Sequence, residues 1–342
     1  MKAMVLTELC DIRENPNPLL LEHPAVPEPG PNEVLLEVLA CGVCHTELDE
    51  IEGRTAPPSL PVIPGHEIVG RIARTGNDVK TRQVGERVGV GWFFSSCGVC
   101  RYCLAGNENL CSEFMATGRD ADGGYAEFIS VPEGSVFTIP GYLSITGAAP
   151  LLCAGAIGYR SLRLSGIRNG DNLGLTGFGG SAHLVLKMVK FRYPDTEVFV
   201  FARNPGEREF AMELGASWAG DTATESPIRL RSIIDTTPAW KPVVEALKNL
   251  APEGRLVINA IRKEDTDRDY LLRINYPEHL WMEKEIKSVA NVSRKDISGF
   301  LDLADEMRIQ PEIEEYPLED ANLALSELRM GNVRGAKVLR II

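Results

Sequence analysis

The turn Gly177-Phe178-Gly179-Gly180-Ser181-Ala182 limits the fold of this chain more than any other stretch. It joins a strand-like run, NLGLT, to a helical one, SAHLVLKMVKF, and matches G-x-G-x-x-G/A at a strand-to-helix junction. The alternation continues: EVFVFAR then PGEREFAMELG, SIIDTT then KPVVEALKNL, then GRLVINAI and IKSVANV. Strands separated by helices in this way build a parallel sheet covered on both faces. A glycine-rich turn alone is more often only a turn; the alternation after it makes residues 151–294 a doubly wound dinucleotide-binding domain. Gly177 permits the tight turn, Gly179 and Gly180 keep the backbone open to a pyrophosphate, and Ala182 lets the helix sit against the sheet. Amides exposed at the helix start then face the phosphates.

The first 150 residues have another rhythm. Short β-rich segments cut by Gly and Pro (AMVL, EVLLEVLA, EIVGRIA, ERVGVGWF, YAEFISV) imply an irregular, mostly antiparallel domain. After about residue 295, DISGFLDLADEM and LEDANLALSELRMGN read as two helices and AKVLRII as a closing strand that returns to the first domain. A chain of 342 residues is about twice the usual single-domain length, which suits this division.

The balance of 36 basic against 48 acidic residues, a net charge of −12, repels a phosphate backbone and argues against a nucleic-acid partner. The opening MKAMVLTELCDIRE fits neither a secretion signal nor a transit peptide, and no apolar run approaches membrane-spanning length. The expectation is a cytoplasmic protein with no membrane partner. In that reducing compartment clustered cysteines are more often metal ligands or catalytic groups than disulfides.

Four of the eight cysteines, Cys97, Cys100, Cys103 and Cys111, stand in the spacing C-x2-C-x2-C-x7-C. Such short steps let thiolates converge on one ion at zinc–sulfur distances of about 2.3 Å. Four protein thiolates leave no position for water or substrate, so a zinc there braces a loop. An iron–sulfur cluster is the weaker reading, because neither ferredoxin spacing is present. The chemistry is sought instead in ACGVCHTELDEIEG and PVIPGHEIVGRI, which offer Cys44, His66 and Glu67; taken alone, a core or surface histidine is the default there. Cys41 and Cys44 also form a C-x-x-C pair open to a thiol–disulfide reading, without the βαβ context that motif usually has.

CGVCHT, PGHEIVGRI, GVGWFFSSCGVCRYCLAGNENLC, PLLCAGAIGY and GLTGFGGSAH follow one another in an order that resembles the zinc-dependent alcohol dehydrogenases of the medium-chain dehydrogenase/reductase superfamily, over essentially the whole chain. The resemblance implies a GroES-like mostly-β catalytic domain (1–150 and about 295–342, with a structural zinc lobe at 95–112) plus a Rossmann doubly wound parallel-sheet cofactor domain (151–294). It implies two zinc ions per chain: a catalytic one on Cys44, His66 and Cys153, with Glu67 an exchangeable ligand, and a structural one on the four clustered cysteines. It further implies that Thr46 passes the alcohol proton toward the cofactor ribose and that His45 contacts cofactor phosphate.

Where an acidic residue would bind the adenosine ribose of NAD, about 20 residues past the glycine turn, the chain has Ala202 and Arg203. A guanidinium there can pair with a 2′-phosphate, which favours NADP and leaves NAD possible. The relay histidine common among relatives is replaced by Asp49, so the proton leaves either through that carboxylate or through water alone, and Ile157 stands where relatives often have a threonine. Trp92 and Phe93 match a pocket wall and would favour flat or modest apolar alcohols and aldehydes, unless they are simply packed in the core. An NAD-dependent polyol or amino-alcohol dehydrogenase and a non-catalytic, zinc-stabilised redox sensor are the alternative readings. The resemblance also implies a homodimer or homotetramer, and IKSVANV is compatible with an interface strand.

Overall fold

The computed structural model of the chain describes residues 1–331 and 335–342. It divides into two compact units, residues 1–156 with 292–342, and residues 157–291.

The first stretch runs β1 (Ala3–Leu6), β2 (Leu19–Glu22), β3 (Glu33–Val43), α1 (His45–Ile51), β4 (Ile68–Thr75), β5 (Arg87–Val90), β6 (Phe93–Ser95), α2 (Arg101–Leu104), β7 (Met115–Ala116), β8 (Phe128–Pro132), β9 (Val136–Thr138) and α3 (Ile145–Ala148). Next come α4 (Ala154–Ser165), β10 (Asn172–Thr176), α5 (Gly180–Arg192), β11 (Glu197–Phe201), α6 (Pro205–Glu213), β12 (Trp218–Gly220), β13 (Leu230–Asp235), α7 (Lys241–Asn249), β14 (Leu250–Ile258) and β15 (Glu285–Ser288). The chain closes with α8 (Arg294–Met307), β16 (Ile313–Pro317), α9 (Ala321–Arg329) and β17 (Ala336–Arg340). Asn332, the last residue of the second helical stretch expected near the end, lies outside the described residues.

In the larger unit the sheet order is β16-β17-β3-β4-β5-β9, with β8 also pairing β3. β3 is its spine, antiparallel to β4, β8 and β17. Its run EVLLEVLACGV is almost wholly buried, as a strand covered on both faces should be. Val34, Leu36, Val38 and Cys41 enter one core with Ile68, Ile72, Tyr125 and, from the end of the chain, Leu325 and Leu339. That core draws the closing segments into this unit.

The second unit holds the six-stranded parallel sheet β12-β11-β10-β13-β14-β15. Its strand order reverses between β10 and β13, the switch point at whose carboxyl edge such sheets take their ligands. The expected last strand, IKSVANV, is shorter than its apolar letters suggested, because pairing stops at Ser288 and Asn291 adopts φ 54. Among the described residues no helix is long and apolar enough to cross a membrane.

Candidate functional site

β3 and β4 pair with Cys41 opposite Ile68, so residues just after the first strand meet those just before the second. Cys44 follows β3 in an extended conformation and caps α1: its Sγ accepts the Thr46 amide at 3.3 Å, while Glu47 Oε2 accepts the Cys44 amide at 2.8 Å. This is a capping box with a thiol in the usual hydroxyl position. On the β4 side, His66 and Glu67 are both buried. Gly42 is required here because a Cβ would collide with the Glu67 carboxylate. Cys153 enters from the turn that precedes α4. One donor atom each from Cys44, His66, Glu67 and Cys153 lies within 4.8 Å of all the others.

Glu47 was not among the residues singled out in the sequence, yet its fully buried Oε1 lies 2.6 Å from His66 Nδ1. One carboxylate thus closes the helix cap and leaves His66 Nε2 facing Cys44 Sγ at 3.7 Å. The sequence carried only part of the usual signal, a Glu three positions after Cys44, because a thiol is not one of the ordinary capping side chains.

The donor set fits zinc. Tetrahedral zinc with ordinary sulfur and nitrogen bonds separates those two atoms by about 3.6 Å, close to the Cys44–His66 spacing. Burial pushes Glu67 up to about 8. The contact with Cys153, together with burial, pushes the Cys44 thiol well above its usual range. Burial opposes a charge on His66, but Glu47 and Cys44 outweigh it and raise the imidazole. Buried thiols and carboxyls crowded in this way lack a counter-charge that a divalent cation supplies.

In the lobe at 95–112, the sulfurs of Cys97 and Cys103 are 3.9 Å apart, Cys100 and Cys103 3.5 Å, and Cys111 and Cys97 3.5 Å. The edge of a zinc–thiolate tetrahedron is about 3.8 Å. Amides of Cys100 and Glu113 point at the sulfurs of Cys97 and Cys111, and hydrogen bonds led by the Cys103 backbone lower Cys100 to about 7. Both sets of candidate ligands therefore form compact clusters.

Among the other expected residues, His45 is exposed and Thr46 half-buried in the first turn of α1. Asp49, buried on the same helix, is ion-paired with Arg54 at 2.5 Å. Trp92 and Phe93 are both buried. The Trp92 ring stands edge-on to His66 at 6.3 Å and beneath the Arg119 guanidinium at 5.2 Å, while Phe93 meets Phe114 at 5.9 Å. Cys41 is a fully buried thiol in β3.

In the second unit, Gly177 has φ +74, a left-handed conformation that favours glycine. A Cβ on Gly179 or Gly180 would meet nothing within 4 Å, so the turn opens onto a space that a phosphate can occupy, and Ala182 is fully buried against the sheet. At the end of β11, Ala202 is buried and Arg203 exposed. Arg208, which the sequence reading passed over, donates to the carbonyls of Ala202 at 2.7 Å and Arg203 at 3.0 Å.

The family model of the alcohol dehydrogenase GroES-like domain matches residues 30–141. The Mycobacterium tuberculosis protein named "Probable alcohol dehydrogenase AdhA" is 42% identical over 92% of this chain and 91% of its own length. Among solved structures, a cinnamyl alcohol dehydrogenase from Sorghum bicolor superposes with a TM-score of 0.84 at 28% identity, covering 99% of this chain and 97% of that one. The CAD from Helicobacter pylori, solved with NADP(H), gives 0.81 at 26% identity and 99% coverage of each chain. The chain belongs to the zinc-type alcohol dehydrogenases of the medium-chain dehydrogenase/reductase superfamily, oxidoreductases acting on CH–OH donors.

Proposed function

We propose that this alcohol dehydrogenase moves hydride reversibly between NADP and a modest, apolar alcohol or its aldehyde, with Cys44, His66 and Cys153 holding a catalytic zinc and Glu67 as an exchangeable donor. The observation that carries this reading is the convergence of those four donors, separate from the closed cysteine lobe. Bound there, zinc supplies Lewis acidity that eases alcohol deprotonation near neutral pH and polarises the carbonyl in the reverse direction.

The protein's own groups do the rest. Glu47 fixes the ring of His66 through Nδ1, the outer-shell arrangement that orients metal-binding histidines. The Thr46 hydroxyl accepts the alcohol proton as it passes its own toward the cofactor ribose, and His45 beside it offers a ring N–H to cofactor phosphate. Asp49 is already engaged by Arg54, so we take solvent water as the proton's exit. A changed pH dependence in Asp49→Ala would restore the carboxylate as a relay. Phe93 packs on Phe114 in the core, the alternative left open by the sequence. Only Trp92, whose ring stands beside His66, is left as the apolar wall that favours apolar substrates.

Arg203, at a strand end that lacks the expected carboxylate, supports NADP. The exposed edge strand β15, with Trp281, Met282 and Ile286 also exposed, supports a homodimer or homotetramer, testable by light scattering. The functional reading is tested by following NADPH oxidation with a panel of aldehydes on zinc-quantified protein. Turnover of apolar aldehydes supports it; oxidation of polyols with NAD alone contradicts it.

A further inference from the structure

Behind the dinucleotide turn lies a buried ion pair that the reaction does not use. Lys263, in the segment after β14, reaches the carboxylate of Asp235 at the end of β13; the side chains are 7% and 0% exposed. The ammonium also donates to the carbonyls of Thr237 at 2.6 Å and Ala239 at 3.1 Å. Its three hydrogens are thereby committed, so it has none left for a ligand. On its other side, Asp235 accepts from the hydroxyls of Thr176 at 2.6 Å and Thr237 at 2.8 Å.

Further ties join the same segments. The amide of Glu264 donates to Pro238 O at 2.7 Å, that of Asn259 to Asp235 O at 2.7 Å, and Asp267 accepts the amides of Trp240 and Lys241. The loops after β13 and β14 are stitched together along residues 235–241 and 259–267. They also set the glycine turn: a Cβ on Gly177 would come 2.9 Å from Thr237 Cγ2 and 3.0 Å from Thr236 Oγ1.

These loops leave the carboxyl edge of the sheet on the β13 side of the switch point. In a doubly wound sheet each half takes one nucleotide of the pair. The half with β11 and Arg203 takes the adenosine end, which leaves the β13–β14 loops to the nicotinamide end. We infer that Lys263 is a positioning residue for the nicotinamide half of the dinucleotide, acting by locking these two loops into one body. The inference rests on the reading that this unit binds a nicotinamide dinucleotide.

The test is calorimetric titration of the zinc-loaded protein and its Lys263→Met variant with NADPH and with 2′,5′-ADP, which carries only the adenosine half; NADH and 5′-AMP serve as the matched pair if NAD is preferred. The expected result is about tenfold weaker dinucleotide binding, on the scale of one lost charge-assisted contact, with under about twofold change for the fragment. Hydrogen exchange on the ligand-free protein should show amides of both loops opening together. Equal weakening for dinucleotide and fragment, or none for either, overturns the inference. Should the unpaired Asp235 prevent folding, Lys263→Met/Asp235→Asn removes that charge and should show the same selective loss. A wild-type chain that binds neither dinucleotide overturns the dinucleotide reading itself, and the exchange measurement still tests whether Lys263 couples the loops.

Discussion

Glu47 Oε1 lies 2.6 Å from His66 Nδ1 while its other oxygen accepts the amide of Cys44, so one buried carboxylate orients two donors of the candidate metal centre. Glu47→Ala should lower zinc affinity at that centre about 10–100-fold, the usual effect of losing an outer-shell partner. Losing its half of the capping box should also cost about 1 kcal/mol. Chelator competition on the purified variant measures the first effect; zinc in the cysteine lobe should resist chelation as in the parent protein.

Cys103→Ser should act on stability rather than on the substrate-facing donors. It removes one of four sulfurs at the distances a closed site needs, while Cys44, His66, Glu67 and Cys153 remain a separate cluster. Structural zinc sites contribute folding free energy directly. The variant should lose the lobe's zinc and melt several degrees lower, with zinc kept at the other centre, as calorimetry and metal analysis on one sample would show.

Two glycines of the dinucleotide turn should respond differently to the same change. Gly177→Ala places a Cβ at φ +74 and against Thr237, so it should cost about 1–3 kcal/mol of stability as well as cofactor affinity. At Gly179 the added methyl meets no protein atom within 4 Å, so Gly179→Ala should fold normally. It occupies space assigned to phosphate and should raise the cofactor KM about tenfold or more. Melting temperatures beside cofactor titrations separate the two cases.

The proposed preference for NADP rests on Arg203. Replacing a guanidinium with a carboxylate removes a partner for the 2′-phosphate and adds a repulsive charge, so Arg203→Asp should shift the NADP/NAD ratio of kcat/KM toward NAD by about 10–100-fold. An unchanged ratio would show that this exposed side chain points into solvent without a ligand.

Most of the parallel sheet and its turn were readable in the sequence because β10, β11 and β13 are apolar, a helix follows each, and the glycines recur at fixed steps; the three-residue β12, with no helix after it, carried no such signal and was missed. The cysteine lobe was readable for a similar reason, since its four cysteines sit within fifteen positions. Cys153 was not, because a thiol in LLCAGA looks like any small core residue until the fold brings it to Cys44; only the family resemblance drew it out. Glu47 and Lys263 escaped for another reason. Their roles depend on what a carboxylate or ammonium meets after burial, and a charged letter in the sequence more often marks a solvated surface. The short β15 shows the same limit from the backbone side, as a positive φ at Asn291 is invisible in an apolar run.

Zinc content per chain tests the central claim most directly, measured on the purified protein and on Cys44→Ser under mild chelation. Two ions in the parent and one, in the cysteine lobe, in Cys44→Ser is the predicted result. A parent protein, fully folded and grown with ample zinc, that holds a single ion unaffected by Cys44→Ser and lost in Cys103→Ser would contradict it.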